Sequence, residues 1–111
     1  MTIAELSQLI EGTIQTPGVD TQRQVTCGYV CDLLSWVMAR GSEGMAWVTV
    51  QAHMNSVAVA VLAEMSCIIG AEGVRFDASV IEKACQEGMA LITTDLSAYR
   101  IAGLMSAHGI D

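Results

Sequence analysis

The stretch from Ala46 to Met65 constrains the fold more than any other part of the chain. Its first part, Ala46–Gln51, is built from Trp, Val and Thr, which favour strands. A short polar loop follows, and Asn55 is suited to cap a helix of small and apolar residues. A strand, a short loop and a helix make up half of a βαβ unit. The stretch therefore predicts an open α/β sheet, in which ligands bind at the carboxyl ends of the strands.

The rest of the chain repeats this order. Thr2 and Glu5 form a capping box that starts a first helix, and Thr13–Thr16 is typical of a short strand. From there on, strands are predicted at 24–28, 46–51, 66–69 and 89–93 and helices at 33–40, 55–65 and 78–87, with a last helix after residue 95. The predicted N-caps of these four helices are Asp32, Asn55, Asp77, and Thr94 or Asp95. Consecutive strand–helix units imply a three-layer α/β/α domain over residues 1–111, with a mostly parallel sheet of four to five strands.

Composition excludes several classes of function. The net charge is −7, only 15% of the residues are charged, and the five basic residues are scattered along the chain. A nucleic-acid face or an anionic membrane surface would need clustered Lys and Arg. No apolar run reaches the ~18 residues of a membrane span, and the first residues lack a basic flank, so we expect a cytoplasmic protein. The low charge leaves an apolar surface, which favours a homodimer or a larger complex.

The four cysteines do not form the two close pairs of a structural zinc site. Cys27 and Cys31 are spaced C-x3-C, whereas Cys67 and Cys85 are isolated. The sequence favours reduced thiols that are buried as small core residues. A metal, iron–sulfur or redox role for Cys27 and Cys31 is the alternative.

The loops at the carboxyl ends of the four predicted strands gather polar and small residues at one edge of the sheet. Free amides at helix N-termini suit an anionic group there. No G-x-G-x-x-G or Walker A sequence is present, and Arg75 is the only basic residue near these loops. The candidate ligand-binding residues are Tyr29, Gln51, His53, Asn55, Thr94 and Ser97.

His53 is the most informative single side chain, because it can act as a general base or bind a ligand. Hydrogen bonding to a backbone carbonyl is the simpler interpretation, since no acidic partner lies nearby in sequence. His108 is placed to interact with the end of the last helix. No Ser-His-Asp or Cys-His arrangement is indicated by spacing, so no catalytic residue, metal ligand or cofactor is assigned. Trp36 lies off the apolar stripe of its helix, which suggests a partner surface.

Three blocks of sequence, residues 28–38, 46–60 and 96–103, carry a family resemblance. They read GYVCDLLSWVM, AWVTVQAHMNSVAVA and LSAYRIAG. The chain resembles small stand-alone DRTGG-domain proteins, a domain similar to the N-terminal domain of HPr kinase/phosphorylase. The Asp-Arg signature that names the domain is absent, and the corresponding loop is residues 51–55.

The resemblance implies a three-layer α/β/α fold, a tendency to dimerise, and a regulatory or assembly role. It also implies a link to iron-hydrogenase and related redox complexes. We therefore predict a non-enzymatic, dimeric regulatory or accessory module. The alternatives are a sensor of a nucleotide or phosphorylated metabolite, and an enzyme or metal–redox protein that uses Cys27 and Cys31.

Overall fold

The computed structural model describes residues 1–111 as a five-stranded sheet between two layers of helices. The strands lie in the order β1-β5-β4-β3-β2. Strands β2 to β5 are parallel, and β1 pairs antiparallel with β5 at the edge of the sheet. In chain order the elements are α1 (Ile3–Leu9), β1 (Thr13–Ile14), β2 (Cys27–Val30), α2 (Leu34–Arg40), β3 (Met45–Thr49), α3 (Met54–Leu62), β4 (Cys67–Gly70), α4 (Ala78–Glu87), β5 (Ala90–Thr93) and α5 (Ala98–Ala107).

The core is divided by the sheet into two halves of similar size. One half packs α1 and α5 against one face and includes Leu6, Ile69 and Ile101. The other packs α2, α3 and α4 against the opposite face around Trp47 and Leu91. Every residue of β3 and β4 is buried, as expected for central parallel strands that are covered on both faces. The predicted three-layer α/β/α architecture with a mostly parallel sheet is confirmed.

The order of the strands determines where a crevice can form. The helices between the parallel strands, α2, α3 and α4, all pack on one face of the sheet, whereas α5, which follows β5, packs on the other. The loops that leave β4 and β5 therefore turn to opposite faces. In open α/β sheets such a switch point is where ligands bind.

Three of the predicted helix caps are wrong. Asp32 does not cap α2, whose N-cap is Leu33 without a side-chain hydrogen bond. His53 is the N-cap of α3, and Asn55 lies inside its first turn. Ser97 caps α5 by accepting from the amide of Arg100 at 3.2 Å, in place of Thr94 or Asp95. No side chain caps α2 or α3. At α2 the Asp32 carboxylate accepts instead from the Thr49 hydroxyl and the Val50 amide, so a tertiary contact competes with capping. The capping box of Thr2 and Glu5 and the cap position of Asp77 are confirmed.

The boundaries of β2 were also predicted wrongly. The strand was predicted over residues 24–28, but it occupies Cys27–Val30. Gly28 lies within the strand, where its missing side chain leaves room for the methyl group of Met105. Tyr29 is consequently a strand residue and not part of the loop at the carboxyl edge.

None of the helices combines the length and apolar composition that a membrane span requires.

Candidate functional site

The loops that follow β3, β4 and β5 converge at one edge and are tied together by their backbones. The amide of Ala71 donates to the carbonyl of Thr49 at 3.0 Å. The amides of Glu72 and Gly73 donate to the carbonyls of Leu96 and Thr94 at 2.9 and 3.0 Å. These bonds continue the parallel sheet beyond its strands. The candidate site therefore rests on a fixed backbone.

The predicted site residues fall into separate groups. Gln51, His53 and Asn55 lie together on the loop and first turn between β3 and α3. Thr94 and Ser97 lie on the loop between β5 and α5. Strand β4 separates the two groups, so they are about 10 Å apart, twice the usual spacing of neighbouring strands. The structure therefore does not bring all of them into one site.

The loop between β3 and α3 presents two exposed polar side chains. His53 and Asn55 are exposed and make no side-chain hydrogen bond, whereas the Gln51 carbonyl accepts from the Ser56 hydroxyl at 2.6 Å. The simpler interpretation of His53, bonding to a backbone carbonyl, is not observed. His108 does make such a bond, with Nδ1 2.9 Å from the carbonyl oxygen of Leu104 at the end of α5.

Thr94 has a structural task at the other loop. It is buried, its hydroxyl donates to the carbonyl of Ile10 at 2.7 Å, and the same oxygen accepts from the amide of Leu96 at 3.2 Å. These two bonds attach the end of α1 to the loop that follows β5. Ser97 is committed to capping α5. Both residues therefore hold the backbone of the edge in place.

Tyr29 lies away from both groups, on the edge strand β2, and packs against the helical layer of α2 to α4. Desolvation is the largest cause that raises the pKa of this phenol, and the neighbouring Cys31 side chain raises it further. Its role as a ligand-binding residue stays a prediction, as do those of the other five candidates.

A polar cleft of about 220 Å³ opens at the switch point between β4 and β5. We call it the switch cleft. Three segments line it: the turn and strand from Glu11 to Gln15, the β4–α4 loop, and the end of β5. Its lining residues are Glu11, Thr13, Gln15, Gly73, Val74, Arg75, Thr93, Thr94 and Asp95. A smaller recess of about 110 Å³ shares Gln15, Arg75 and Thr93 and adds Phe76.

The walls of the switch cleft are held by side-chain and backbone bonds. The Gln15 side-chain amide donates to the Thr93 hydroxyl at 2.8 Å, which joins β1 to β5 across the cleft. Gly73 adopts a positive φ of 76°, and a Cβ there would lie 3.2 Å from Oδ1 of Asp95. Glycine therefore permits both the turn and the close approach of this carboxylate.

The charged groups of the switch cleft have no partner within the protein. The structure's one ion pair joins Lys83 to Glu87 on α4. The guanidinium of Arg75 and the carboxylates of Glu11 and Asp95 are exposed and form no salt bridge. The cleft thus presents one cation and two anions to a ligand.

Residues of the switch cleft were mostly missed from the sequence. Thr94 is the only one of the six candidate residues among them, and Arg75 is noted in the sequence only as a basic residue near the predicted loops. Glu11, Thr13 and Gln15 lie far from β5 in the sequence and reach it because β1 runs antiparallel, with Thr13 beside Thr93. The sequence does predict a short strand at Thr13–Thr16. It does not indicate which strand of the sheet pairs with it.

The remaining chemical alternative, a site at Cys27 and Cys31, is not compatible with the fold. Cys27 is the first residue of β2, and Cys31 directly follows its last residue. Four residues of extended chain at ~3.3 Å each place them about 13 Å apart. A single metal ion or a disulfide cannot join them. The Cys31 thiol donates instead to the carbonyl of Leu33 at 3.7 Å. Cys67 is fully buried, and desolvation raises the pKa of its thiol to about 12.

The fold and the position of the switch cleft define the class of protein: an open α/β domain with a polar crevice at the carboxyl edge of its sheet. No protein-family model matches the sequence, and no curated protein matches it. A solved structure is similar, that of the CBS and DRTGG domains of the regulatory region of Clostridium perfringens pyrophosphatase, in complex with the activator diadenosine tetraphosphate.

The similarity to this structure extends over nearly the whole chain. The TM-score is 0.73 at 14% sequence identity, and the match covers 94% of this chain. The chain spans about half of that structure's length, because the match covers 45% of the other chain. The likeness shows a DRTGG/CBS-like α/β fold, and the similar structure is a regulatory region. Similarity to HPr kinase/phosphorylase in particular stays a prediction.

Proposed function

We propose that this protein is a regulatory module that senses a small polar ligand at the switch cleft and has no catalytic activity of its own. The observation that carries the proposal is the cleft itself, which combines an unpaired Arg75 with a fixed backbone at the topological switch point. The similar structure supports this direction, because it is a regulatory region that binds a nucleotide activator.

Binding is tested by thermal denaturation of the pure protein in the presence of nucleotides, phosphorylated metabolites and other small polar metabolites. A ligand that binds only the native state raises Tm. We expect at least one compound to do so, and we expect Arg75→Gln to remove the shift. Arg100→Gln is the matched control, because Arg100 is an exposed arginine on α5 that does not line the cleft.

The same experiment separates the two loops of the carboxyl edge. If His53→Ala removes the shift while Arg75→Gln retains it, the ligand binds at the β3–α3 loop and the proposal for the switch cleft is wrong. If no compound raises Tm, the sensor function is wrong. Turnover of any of these compounds by the pure protein would contradict the non-enzymatic part of the proposal.

A second candidate function, self-association, is favoured by an exposed apolar surface at the opposite edge of the sheet. We call it the α2 surface, and its residues are Val30, Leu33, Trp36, Met38 and Val50. Trp36 is 51% exposed and stacks on Arg40, whose guanidinium carbon lies 4.6 Å from the ring centroid. Strand β2 has no neighbour beyond it in the sheet. Several large exposed apolar residues at one edge of a sheet are typical of interaction surfaces.

Light scattering at micromolar concentration tests self-association. We expect a homodimer for the unmodified protein and a monomer for Trp36→Glu, because the substitution places a charge at the centre of the apolar surface. Tyr99→Glu is the control, since Tyr99 is 87% exposed on α5, in the other helical layer. A monomeric unmodified protein would contradict this candidate.

A partner from a larger redox complex, suggested by the family resemblance, is a further proposal for the same surface. Pull-down from the native cell with unmodified protein and with Trp36→Glu tests it. We expect subunits of one redox enzyme to be retained only by the unmodified protein. Equal retention by the two proteins would exclude the α2 surface as their binding site.

A further inference from the structure

We propose that the switch cleft selects a small zwitterion, a molecule of the size of a free α-amino acid that carries both a carboxylate and an ammonium group. This inference rests on the proposed ligand-binding function and names the class of ligand. It follows from three properties of the cleft: the signs of its charges, the elements that carry them, and its volume.

The charges of the cleft are complementary to a ligand that carries both a negative and a positive charge. Arg75 supplies a guanidinium that makes no ion pair, and it can hold a carboxylate through two parallel hydrogen bonds. Glu11 and Asp95 supply two carboxylates that also lack a salt-bridge partner. An ammonium group that binds near these carboxylates gains charge-assisted hydrogen bonds. A ligand that carries only negative charge would satisfy Arg75 and be repelled by the other two.

The three charges come from three different segments, so a ligand must bridge them. Arg75 lies on the β4–α4 loop, Asp95 on the loop after β5, and Glu11 in the turn between α1 and β1. The bond from the Gln15 side chain to Thr93 and the bond from Thr94 to Ile10 fix the turn after α1 against the end of β5. The bond from the Gly73 amide to the Thr94 carbonyl at 3.0 Å fixes the β4–α4 loop against the same place. Because the backbone segments that carry the charges are fixed, a ligand that bridges them pays less for ordering the protein.

Polyphosphates and nucleotides fit the cleft poorly. Phosphate groups are usually held by several cations or by amides at a helix N-terminus. The switch cleft has one arginine, and its lining contains no residue of α4 or α5. No aromatic ring lies in the lining of the cleft, and Phe76 of the adjoining recess is buried, so neither offers an open ring face on which a base could stack. The volume of about 220 Å³ is also below the roughly 300–1,000 Å³ of pockets for drug-sized ligands.

The experiment is a titration of isotopically labelled protein, followed by backbone amide shifts, with each common L-amino acid at millimolar concentration. Each compound that binds is compared with its N-acetyl form, which lacks the ammonium, and its amide form, which lacks the carboxylate. Inorganic phosphate and ATP are included as purely anionic probes. We expect one or more free amino acids to shift the amides of Gly73, Arg75 and Asp95, and both blocked forms to bind at least tenfold more weakly.

Substitutions in the cleft test which of its residues contact the carboxylate of the ligand and which contact its ammonium group. We expect Arg75→Gln to weaken binding of the free amino acid at least tenfold and not to weaken binding of its amide form, which has no carboxylate for Arg75 to hold. Glu11→Gln and Asp95→Asn should weaken binding of the free amino acid and should not weaken binding of its N-acetyl form, which the two carboxylates repel. Arg100→Gln is again the control for an exposed arginine outside the cleft. Circular dichroism of each variant without ligand verifies that it folds.

The outcomes distinguish this inference from the proposed function. If only phosphate or ATP shifts the cleft amides and Arg75→Gln removes the effect, the sensor function stands and the zwitterion inference is overturned. If the N-acetyl or amide form binds as tightly as the free amino acid, the inference is overturned as well. If no probe binds, the zwitterion inference is wrong, and the wider thermal-denaturation panel decides whether the proposed function is wrong as well.

Discussion

At the scale of single residues, Asp32 shows how a short polar side chain can take a different role from the one its position predicts. It precedes an apolar helical run, so it was expected to cap α2. In the structure its Oδ1 accepts from the Thr49 hydroxyl at 2.8 Å and from the Val50 amide at 2.9 Å. The carboxylate therefore joins the end of β2 to the end of β3. The residue stabilises a strand-to-strand connection in place of a helix end.

We expect Asp32→Ala to lower the free energy of unfolding by about 1–2 kcal/mol, because hydrogen bonds to a charged acceptor are stronger than neutral ones. Asp32→Asn retains an acceptor oxygen at the same position and should cost less than half as much. Urea denaturation of the three proteins measures the differences. Equal losses for Ala and Asn would show that the negative charge, and not the pair of hydrogen bonds, is what stabilises this connection.

The buried thiol of Cys67 makes stability depend on pH in the alkaline range. Its pKa is 9.0 in the unfolded chain and about 12 in the native protein, since burial disfavours the thiolate and the opposing effect of Arg23 is smaller. Above pH 9 the unfolded state has lost this proton and the native state still holds it. The contribution is therefore complete below pH 9 and is lost as the pH rises toward 12, at about 1.4 kcal/mol per pH unit.

We expect the free energy of unfolding of Cys67→Ala to fall less steeply with pH than that of the unmodified protein above pH 9. Other groups, among them Tyr29, titrate in both proteins, so the difference between the two curves isolates Cys67. Denaturant unfolding at a series of pH values measures it. If the two curves of unfolding free energy against pH run parallel above pH 9, the raised pKa of the Cys67 thiol in the native state is contradicted.

At the scale of elements, α2 differs from the other helices of its layer. It has seven residues and a single buried side chain, Val37. By contrast, α3 buries Ser56, Val57, Val59 and Ala60 between its neighbours. A short helix with one buried residue gains little from packing. Local opening should therefore begin at α2, beside the open edge of β2.

We expect the amides of α2 to exchange with solvent much faster than those of β3 and β4, which are buried along their whole length. Native-state hydrogen exchange measures both sets in one sample. The protein with Trp36→Glu serves as the comparison, because a dimer that covers the α2 surface would slow exchange in the unmodified protein only. Protection of α2 equal to that of β4 in the monomeric variant would contradict local opening.

Sequence patterns predicted the parallel part of the fold well and its edges less well. Apolar strands such as Cys67–Gly70 and the helices after them carry a local signal that burial on both faces produces. The antiparallel position of β1 depends on a contact with Thr93, far along the chain, and has no local signal. The switch cleft was missed for the same reason, because Glu11 and Gln15 reach it only through this pairing. The bounds of β2 were also predicted wrongly, so Tyr29, which was expected in a loop, lies in the strand.

At the scale of the whole molecule, the sheet forces the two halves of the core to unfold together. The central strands β3 and β4 contribute alternate residues to both halves, for example Val48 to one and Trp47 to the other. Separating either helical layer exposes buried residues of the same strands. A protein of this size with such a shared sheet is expected to unfold in one cooperative transition.

Two probes on opposite faces of the sheet test this cooperativity. Trp47 is buried in the half with α2 to α4, and its fluorescence can be followed without interference in Trp36→Phe. Cys67 is buried in the half with α1 and α5, and its alkylation can be followed in a variant whose other three cysteines are replaced by serine. Each variant is also followed by circular dichroism, so that its own stability is the reference. We expect each probe to give the same urea midpoint as circular dichroism of the same variant, because β3 and β4 cannot lose one covering layer and stay folded. Alkylation of Cys67 at lower urea than the loss of circular dichroism would show that α1 and α5 separate first and that the two layers are held independently.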